Sequence, residues 1–301
     1  MSAQALVFHI IHGSFVDGYG IRTTVFLKGC PLKCIWCCNP EGQSFQPELK
    51  VTREHCNGCG RCVPACPKGA LSIRDGLVAV DRTLCDGCMD CVEHCYTDAL
   101  EPFGTQYTAQ QVFEIIKSDE MFYKNTGGGA TIGGGECTCY PEFMLELIGL
   151  CHDAHIHVAV DTCGYTTSEL GKEVLKAADL LLFDIKGIDP VRHQENTGRS
   201  NDVILENLRM LSDLRKPLII RIPVIPGYND SDENLNAVAD LLSTLKSVER
   251  VDILPEHEFG RIKYDQLDME YKLKPCPVSD ERQEAIRAMF EARGFQAQLG
   301  G

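Results

Sequence analysis

The sequence predicts an α/β fold built around a parallel sheet, and three observations carry that prediction. Short β-branched or aliphatic runs alternate with longer amphipathic stretches over roughly 200 residues, which is typical of strands joined by helical crossovers. A Cys-rich segment at 49–103, punctuated by Gly and Pro, interrupts this alternation. Polar residues follow the predicted strands, where parallel α/β proteins bind ligands. Six such units form either an open, partial (βα) barrel or a doubly wound sheet.

Each unit joins a short predicted strand to a predicted helix. Thr108, Ser168 and Ser231 stand where N-cap residues begin helices, because a side-chain oxygen there accepts a hydrogen bond from the first turn. The predicted strands are Thr23–Leu27, Ala130–Ile132, His157–Val160, Leu180–Phe183, Leu218–Pro223 and Val251–Leu254. The predicted helices are Thr108–Ser118, Pro141–Ala154, Ser168–Ala177, Asp202–Leu214, Asp232–Leu245 and Asp280–Arg293.

The ends of the predicted strands carry unusual polar residues. Cys30 follows the first strand, and the sequences GGGE, DTCG and DIK follow the next three. RIP lies on the fifth strand, and LPEH follows the sixth. Because the carboxyl ends of parallel strands meet at one edge of the sheet, we expect all six segments to line a single site.

Composition and charge exclude several classes of function. The 301 residues are 44% hydrophobic with a formal net charge of −14, which argues against nucleic acid as a partner. No apolar run approaches the roughly 20 residues of a membrane helix, so no membrane partner is expected. The first residues, MSAQALVFHIIHG, have no cationic leader. A cytoplasmic location is therefore expected.

Cysteine is the outlying residue type. The chain has 17 cysteines, an odd number, and most lie in three tight clusters. A secreted disulfide scaffold would be smaller and would usually hold an even number. Clustered cysteines in a reducing compartment are more plausible as thiolate ligands of zinc or iron.

The interrupting segment contains two matching cysteine runs with C-x2-C-x2-C-x3-C spacing. In two-cluster bacterial ferredoxins, the first three thiolates of such a run hold one [4Fe–4S] cluster and the fourth ligates the other. Zinc ribbons use paired C-x2-C spacings instead. An electron relay and a purely structural or docking role both remain open for these clusters. The spacing predicts one cluster on Cys56, Cys59, Cys62 and Cys95, and a second on Cys66, Cys85, Cys88 and Cys91.

Cys30, Cys34 and Cys37 form a separate C-x3-C-x2-C set. Three thiolates on a four-iron cluster leave one iron with an open position, which can bind substrate as an open zinc position does. With Trp36 as the aromatic residue before the last cysteine, this motif resembles that of the radical S-adenosylmethionine (SAM) superfamily. That resemblance implies that the open iron binds the amino and carboxylate groups of SAM. Cys38 is expected to be a bystander.

The resemblance narrows over the length of the chain. VDGYGIRTTVFLKGCPLKCIWCCNPE is similar to the N-terminal signature of glycyl-radical-enzyme activating enzymes with a two-cluster ferredoxin insert. ILENL, IRIPVIPGYNDSDEN and ILPEHEFGRIKY continue the likeness. It implies a partial (βα)6 TIM-like barrel over 1–48 and 104–301, with a ferredoxin-like insert at 49–103 that binds two [4Fe–4S] clusters.

The activity that this resemblance implies is activation of a partner enzyme. Reductive cleavage of SAM gives methionine and a 5′-deoxyadenosyl radical, which abstracts hydrogen from a glycine of a glycyl radical enzyme. Flavodoxin or ferredoxin is the implied electron donor, and three [4Fe–4S] clusters and SAM are the implied cofactors. A radical SAM enzyme that acts directly on a small molecule or peptide is the alternative. A pure electron carrier would leave the C-x3-C-x2-C motif unexplained.

The resemblance also implies roles for single residues. It places Lys186 beside the cluster cysteines in the catalytic set, Asp17 at the partner's glycine loop, and a monovalent cation near the aspartates. The ordinary alternatives are a surface lysine at Lys186, a structural histidine at His257 and an Asp-Gly turn at Asp17. Arg221 lies in an apolar strand, where an unpaired guanidinium is costly. The implied SAM contacts are Trp36, Gly134, Gly135, Glu136, Asp161, Thr162, Asp184, Lys186, Arg221 and His257.

The chain departs from the family pattern at two places. Tyr19 stands where the family has Pro in DGPG, which is expected to loosen that loop. Cys137 replaces the Pro of GGEP, so that Cys137, Cys139 and Cys163 are expected near the cavity mouth. We interpret these three as small packing residues, with a redox or radical role as the alternative. Cys276 is expected to be a non-ligand, and Cys151 a helix core residue.

Overall fold

The computed structural model describes residues 2–274 and 277–300, so Cys276 lies outside the described residues. Its strands are β1 Gln4–Ser14, β2 Arg22–Leu27, β3 Glu48–Val51, β4 Leu71–Arg74, β5 Leu77–Val80, β6 Leu100–Phe103, β7 Thr105–Thr108, β8 Gly129–Gly134, β9 His157–Thr162, β10 Leu180–Asp184, β11 Leu218–Val224, β12 Val248–Pro255 and β13 Ala297–Leu299. Its α-helices are α1 Cys62–Ala65, α2 Ala109–Ser118, α3 Glu120–Thr126, α4 Pro141–Asp153, α5 Glu169–Ala177, α6 Pro190–Thr197, α7 Asp202–Asp213, α8 Asp232–Leu242, α9 Arg261–Gln266 and α10 Asp280–Glu291.

Nine strands form the main sheet, in the order β13-β12-β11-β10-β9-β8-β2-β1-β7. From β2 to β13 every neighbouring pair is parallel, whereas β1 pairs antiparallel with both β2 and β7. Each parallel strand lies beside the next one along the chain, so the sheet winds in one direction. A doubly wound sheet would reverse its strand order at a switch point. The α/β prediction with a parallel sheet is confirmed, and the doubly wound alternative is excluded.

The core lies on both faces of the parallel strands, which explains why they are continuous apolar runs rather than alternating ones. On β10, Leu181 and Phe183 pack into the large cluster beneath the helices. Leu180 and Leu182 point to the other face, where they form a small cluster with Ala159 and Ile219. Helices therefore cover one face, and the opposite face encloses a narrow interior.

The six predicted strands and six predicted helices all form, with ends displaced by a few residues. Thr108 makes a capping box with Gln111 at the start of α2. Ser168 and Ser231 accept hydrogen bonds from the first turns of α5 and α8. The sequence prediction missed β1, β7, β13, α3, α6 and α9, and also β3 to β6 and α1 of the Cys-rich segment.

The Cys-rich segment has its own small core and its own sheets. β3 pairs antiparallel with β6, and β4 with β5. Leu49, Val51, Leu71, Val78 and Leu100 pack with the buried cysteines into a cluster separate from the main core. As a domain boundary, 49–103 stays a prediction. Within the described residues, no helix is long and apolar enough to cross a membrane.

Candidate active site

A cavity of about 310 Å³ opens where the parallel strands end. The segments after β2, β8, β9, β10 and β12 contribute to its wall, as the strand-end pattern predicts, and β11 contributes from within the strand. Of the residues expected to contact SAM, Glu136 alone is not part of the wall. The cavity is lined by Asp17, Cys30, Cys34, Trp36, Cys37, Gly134, Gly135, Asp161, Thr162, Cys163, Asp184, Lys186, Arg221 and His257, among others.

The three thiols of the C-x3-C-x2-C set lie on the loop that follows β2. The Gly29 N–H donates to the Gly42 carbonyl, and the Lys33 N–H donates to the Thr197 carbonyl. The Tyr264 hydroxyl donates to the Cys37 carbonyl at 2.9 Å. Burial raises the pKa of the Cys34 thiol to about 12. A thiolate is therefore costly at this position unless a metal compensates its charge.

Among the described residues, no three His, Cys, Asp or Glu side chains stand close enough to share a single metal ion. Cys30, Cys34 and Cys37 nevertheless line one cavity, and cysteine thiolates are the ligands of iron–sulfur clusters.

Glu136 differs from its expected position. The side chain is completely buried and lies behind the cavity wall. Its Oε1 accepts from the N–H and hydroxyl of Thr138, at 3.1 and 2.8 Å. Its Oε2 accepts from the N–H and thiol of Cys163, at 2.9 and 3.0 Å, and the Thr162 hydroxyl lies 2.8–2.9 Å from both oxygens. The carboxylate therefore joins the end of β8 to the end of β9, instead of presenting oxygens to the cavity.

Two ion pairs line the cavity. Lys186 Nζ donates to Asp184 Oδ2 at 2.6 Å, and Arg221 Nη1 lies 3.3 Å from Asp161 Oδ2. Burial raises the pKa of Asp161 to about 7, although Arg221 opposes that shift. Burial lowers the pKa of Lys186, but Asp184, Cys34 and Cys163 together raise it by more, so the net shift is well upward. Lys186 is therefore a partly buried cation on the cavity wall, with its side chain 13% exposed, rather than a freely exposed surface lysine.

The Arg221 guanidinium has a hydrogen-bond donor that the protein does not use. Its Nε is buried and has no hydrogen-bond partner, which is unusual because buried donors are nearly always paired. The side chain as a whole lines the cavity, although this nitrogen is itself not exposed there.

Asp17 reaches the cavity from the loop before β2. Its Oδ2 accepts from the Ser14 and Thr24 hydroxyls at 2.6 and 2.7 Å, and its backbone carbonyl accepts from Thr131. These contacts fix the loop against the sheet interior. His257 and Trp36 lie on the opposite loops of the same cavity, and the Trp36 ring is 6.2 Å from that of Tyr228.

The additional cysteines occupy packed positions. Cys137 and Cys151 are fully buried, Cys163 is 6% exposed, and Cys139 is partly exposed. Of Cys137, Cys139 and Cys163, only Cys163 is part of the cavity wall. The structure is consistent with small packing residues at Cys137 and Cys151. Cys163 makes a more specific contact, because its thiol donates to Glu136 Oε2.

The eight cysteines of the interrupting segment fall into two groups, each around a small cavity. The groups cross between the two runs, as the spacing predicts: each contains three cysteines of one run and the fourth of the other. One cavity is lined by Cys56, Cys59, Cys62 and Cys95, and the other by Cys66, Cys85, Cys88 and Cys91.

The loop after β2 carries Cys30, Cys34 and Cys37, and we call it the cluster loop. The sequence prediction missed the residues that support this loop from the other end of the chain. Lys263 donates to Asn39 Oδ1 at 2.6 Å and lies 2.6 Å from Glu41 Oε1, and Glu41 is 2% exposed. A glutamate two residues after an Asn in a Cys-rich loop was the available signal. Its partner lies more than 200 residues away, so no local pattern indicates it.

Comparison with known proteins adds independent findings. Residues 85–238 match the family model of the radical SAM superfamily, and residues 49–72 match that of the 4Fe-4S binding domain. The trans-4-hydroxy-L-proline dehydratase activating enzyme of Clostridioides difficile is 42% identical over 300 residues, covering 98% of this chain and 99% of the relative. The choline trimethylamine-lyase activating enzyme of Oleidesulfovibrio alaskensis is 40% identical over 301 residues, covering 97% and 96%.

Solved structures agree with this at the level of fold. A radical SAM methyltransferase from Sphaerobacter thermophilus superimposes with a TM-score of 0.53 at 15% identity. The match covers 92% of this chain and 66% of the other.

Proposed function

Because this chain belongs to the glycyl-radical-enzyme activating enzymes of the radical SAM superfamily, we propose that it activates a glycyl radical enzyme. It does so by reductive cleavage of SAM, and the radical product abstracts hydrogen from a glycine of the partner. The observation that carries this proposal is the joint wall of one cavity. Three thiols from one loop and the polar ends of the parallel strands meet there.

Cys30, Cys34 and Cys37 would hold a [4Fe–4S] cluster. When bound, this group supplies the electron that cleaves the sulfonium of SAM to methionine and the 5′-deoxyadenosyl radical. The residues fit it on two grounds: three thiols share one cavity wall, and cysteine thiolates are the ligands that four-iron clusters take.

The chain's own residues bind and orient SAM. Gly134 and Gly135 line the cavity, and the absence of a Cβ lets the backbone around Gly29 pack against them: a Cβ on Gly135 would lie 2.2 Å from the Gly29 carbonyl oxygen. Arg221 donates to an anionic group, and Lys186, held by Asp184, adds positive charge near the cluster loop. Glu136 keeps the GGE and DTC segments in register, as a positioning residue. Enclosure by the sheet excludes water from the reacting atoms.

Further assignments complete this proposal. The eight insert cysteines would hold two more [4Fe–4S] clusters, giving three per chain. Asp161, Thr162 and Asp184 are the residues proposed near a monovalent cation, and Asp17, His257 and Trp36 complete the cavity around SAM and the partner's glycine loop. Reduced flavodoxin or ferredoxin is the proposed donor in the cytoplasm.

The decisive experiment reconstitutes the chain anaerobically with iron, sulfide, SAM and dithionite. Trans-4-hydroxy-L-proline dehydratase and choline trimethylamine-lyase, the enzymes named for two relatives, serve as partner probes. We expect 5′-deoxyadenosine from SAM and a doublet EPR signal in a partner, and about 12 iron atoms per chain. The control variant Cys30→Ala should abolish both products. Deoxyadenosine that never appears in the native chain would refute the proposal. Deoxyadenosine without a radical in either probe would favour direct action on a small molecule or peptide.

A further inference from the structure

The Asp268 carboxylate forms ion pairs with two arginines of the insert. Arg53 and Arg82 both pair with its carboxylate, and the distance from Arg82 Nε to Asp268 Oδ2 is 2.8 Å. The same arginines donate to backbone carbonyls just before it: Arg53 to that of Asp265 and Arg82 to that of Gln266, each at 2.9 Å. The segment at 265–268 therefore makes four polar contacts with the insert.

Helix α9, just before Asp268, binds the cluster loop through side-chain hydrogen bonds and an ion pair. Lys263 binds Asn39 and Glu41, and the Tyr264 hydroxyl binds the carbonyl of Cys37. Gly260 packs so closely that a Cβ there would lie 2.8 Å from the Cys38 Cα. Residues 260–268, which we call the strut, therefore contact both the cluster loop and the insert.

The insert needs such a third tie for a geometric reason. The chain enters it near Glu48 and leaves it near Phe103, and these two residues pair directly in the β3–β6 ladder. Two adjacent connections act as a hinge, because they leave rotation about their common axis unopposed. The contacts of Arg53 and Arg82 with the strut lie elsewhere on the insert and oppose that rotation.

The orientation fixed in this way brings one cysteine group toward the barrel. Gly87, between Cys85 and Cys88, packs on the Pro47 carbonyl, where a Cβ would lie 2.4 Å away. Two residues earlier, the Phe45 ring covers Gly29, the residue before Cys30. In contrast, Gly58 of the first run packs on Gly76 inside the insert. The group at Cys66, Cys85, Cys88 and Cys91 is therefore the inner one.

We propose that Asp268 is a positioning residue for electron delivery: it holds the insert so that its inner cysteine group faces the Cys30–Cys37 loop. The inference rests on the proposed function. In this proposal one electron would leave reduced flavodoxin, whose flavin would pass from hydroquinone to semiquinone, and would reach the iron that Cys30, Cys34 and Cys37 would hold by way of the groups that the insert cysteines would hold. Electron transfer slows steeply with distance, so a swinging insert delivers electrons slowly. Dithionite is small enough to reduce the cluster loop's iron directly.

The test compares Asp268→Ala with Asp265→Ala, using the fully reconstituted chain. Asp265 lies on the same strut, and its side chain makes no hydrogen bond or ion pair among the described residues. The rate of 5′-deoxyadenosine formation is measured with a flavodoxin, flavodoxin reductase and NADPH system, and separately with dithionite. In Asp268→Ala the flavodoxin-driven rate should fall about tenfold, equivalent to about 1.4 kcal/mol of docking free energy. The dithionite-driven rate should not change, and Asp265→Ala should behave as the native chain.

A second measurement does not depend on activity. Amide hydrogen exchange at 45–49 and 84–90 should quicken in Asp268→Ala and stay native in Asp265→Ala. If Asp268→Ala is insoluble, Arg82→Lys replaces it, because it keeps the charge but loses the forked contacts to Asp268, Leu49 and Gln266. Equal losses with both reductants, or native rates with both, would overturn the inference. Failure of the native chain to cleave SAM with dithionite would instead reject the proposed function.

Discussion

Replacing Glu136 with alanine removes a carboxylate that six protein donors share. These are the N–H and hydroxyl of Thr138, the hydroxyl of Thr162, the N–H and thiol of Cys163 and, at 3.9 Å, the thiol of Cys137. The hydroxyls and the thiols can rotate toward other acceptors, but the two backbone N–H groups cannot. Each is left buried without a partner at about 1–3 kcal/mol, so the free energy of unfolding should fall by about 4 kcal/mol. Glu136→Gln keeps one acceptor oxygen and should lose about 2 kcal/mol.

The assay is anaerobic urea unfolding of the metal-free chain, followed by far-ultraviolet circular dichroism. Thermal unfolding gives a parallel measure, and about 4 kcal/mol corresponds to about 6 °C in a chain of this size. Glu142→Ala is the matched control, because Glu142 is a solvent-exposed glutamate six residues away. It should be nearly neutral. If Glu136→Ala unfolds within about 1 kcal/mol of the control, the carboxylate is not a structural tie and the reasoning fails.

Three further changes test other parts of the site. Arg221→Ala should weaken SAM binding roughly tenfold to a hundredfold in calorimetric titration, because a buried charged donor is lost; native affinity would contradict this. Gly135→Ala should destabilise by about 1–3 kcal/mol, since its Cβ would lie 2.2 Å from the Gly29 carbonyl oxygen, whereas Gly149→Ala, whose Cβ meets nothing within 4 Å, should not. Burial and Arg22 lower the pKa of His157 below its usual 6.5, and Arg22 Nη2 lies 3.2 Å from His157 Nδ1. At acidic pH the unfolded chain therefore binds a proton at His157 that the folded chain does not bind. The free energy of unfolding should fall as pH drops from about 7.5 to about 5.5. His157→Gln should lessen that fall in urea titrations, and an unchanged pH dependence would contradict the assignment.

Six of the seven parallel strands of the main sheet were predicted from the sequence because those strands are buried on both faces. Runs such as LLLF at β10 have no alternative environment, and the capping residues Thr108, Ser168 and Ser231 mark where helices begin. β1 was missed for the opposite reason. It is half-exposed, with a burial pattern that does not alternate regularly, and it bulges twice against β2.

The candidate site likewise has a part that the sequence predicted and a part that it did not. Cysteine spacing indicates ligand groups because backbone reach limits which thiols can meet, and the crossed grouping of the two insert runs agrees with it. Glu136 shows the limit of motif reasoning. The residue type and its place after β8 were predictable, but the direction of its side chain depends on Thr138, Thr162 and Cys163. The strut was not predictable at all, since its partners lie more than 180 residues away in the chain.

Tyr19 joins these observations. Its position in DGYG suggests a loop loosened by the loss of Pro, yet the side chain compensates across the molecule. The Tyr19 hydroxyl donates to Glu249 Oε2 at 2.9 Å, and the Arg250 guanidinium lies 5.4 Å from the centre of its ring. Arg250 is itself held by two hydrogen bonds to the buried Asp252 on β12. The loop that carries Asp17 is thus tied to the far side of the open sheet. A local departure from a motif loosens a loop only where no distant side chain supplies the lost constraint.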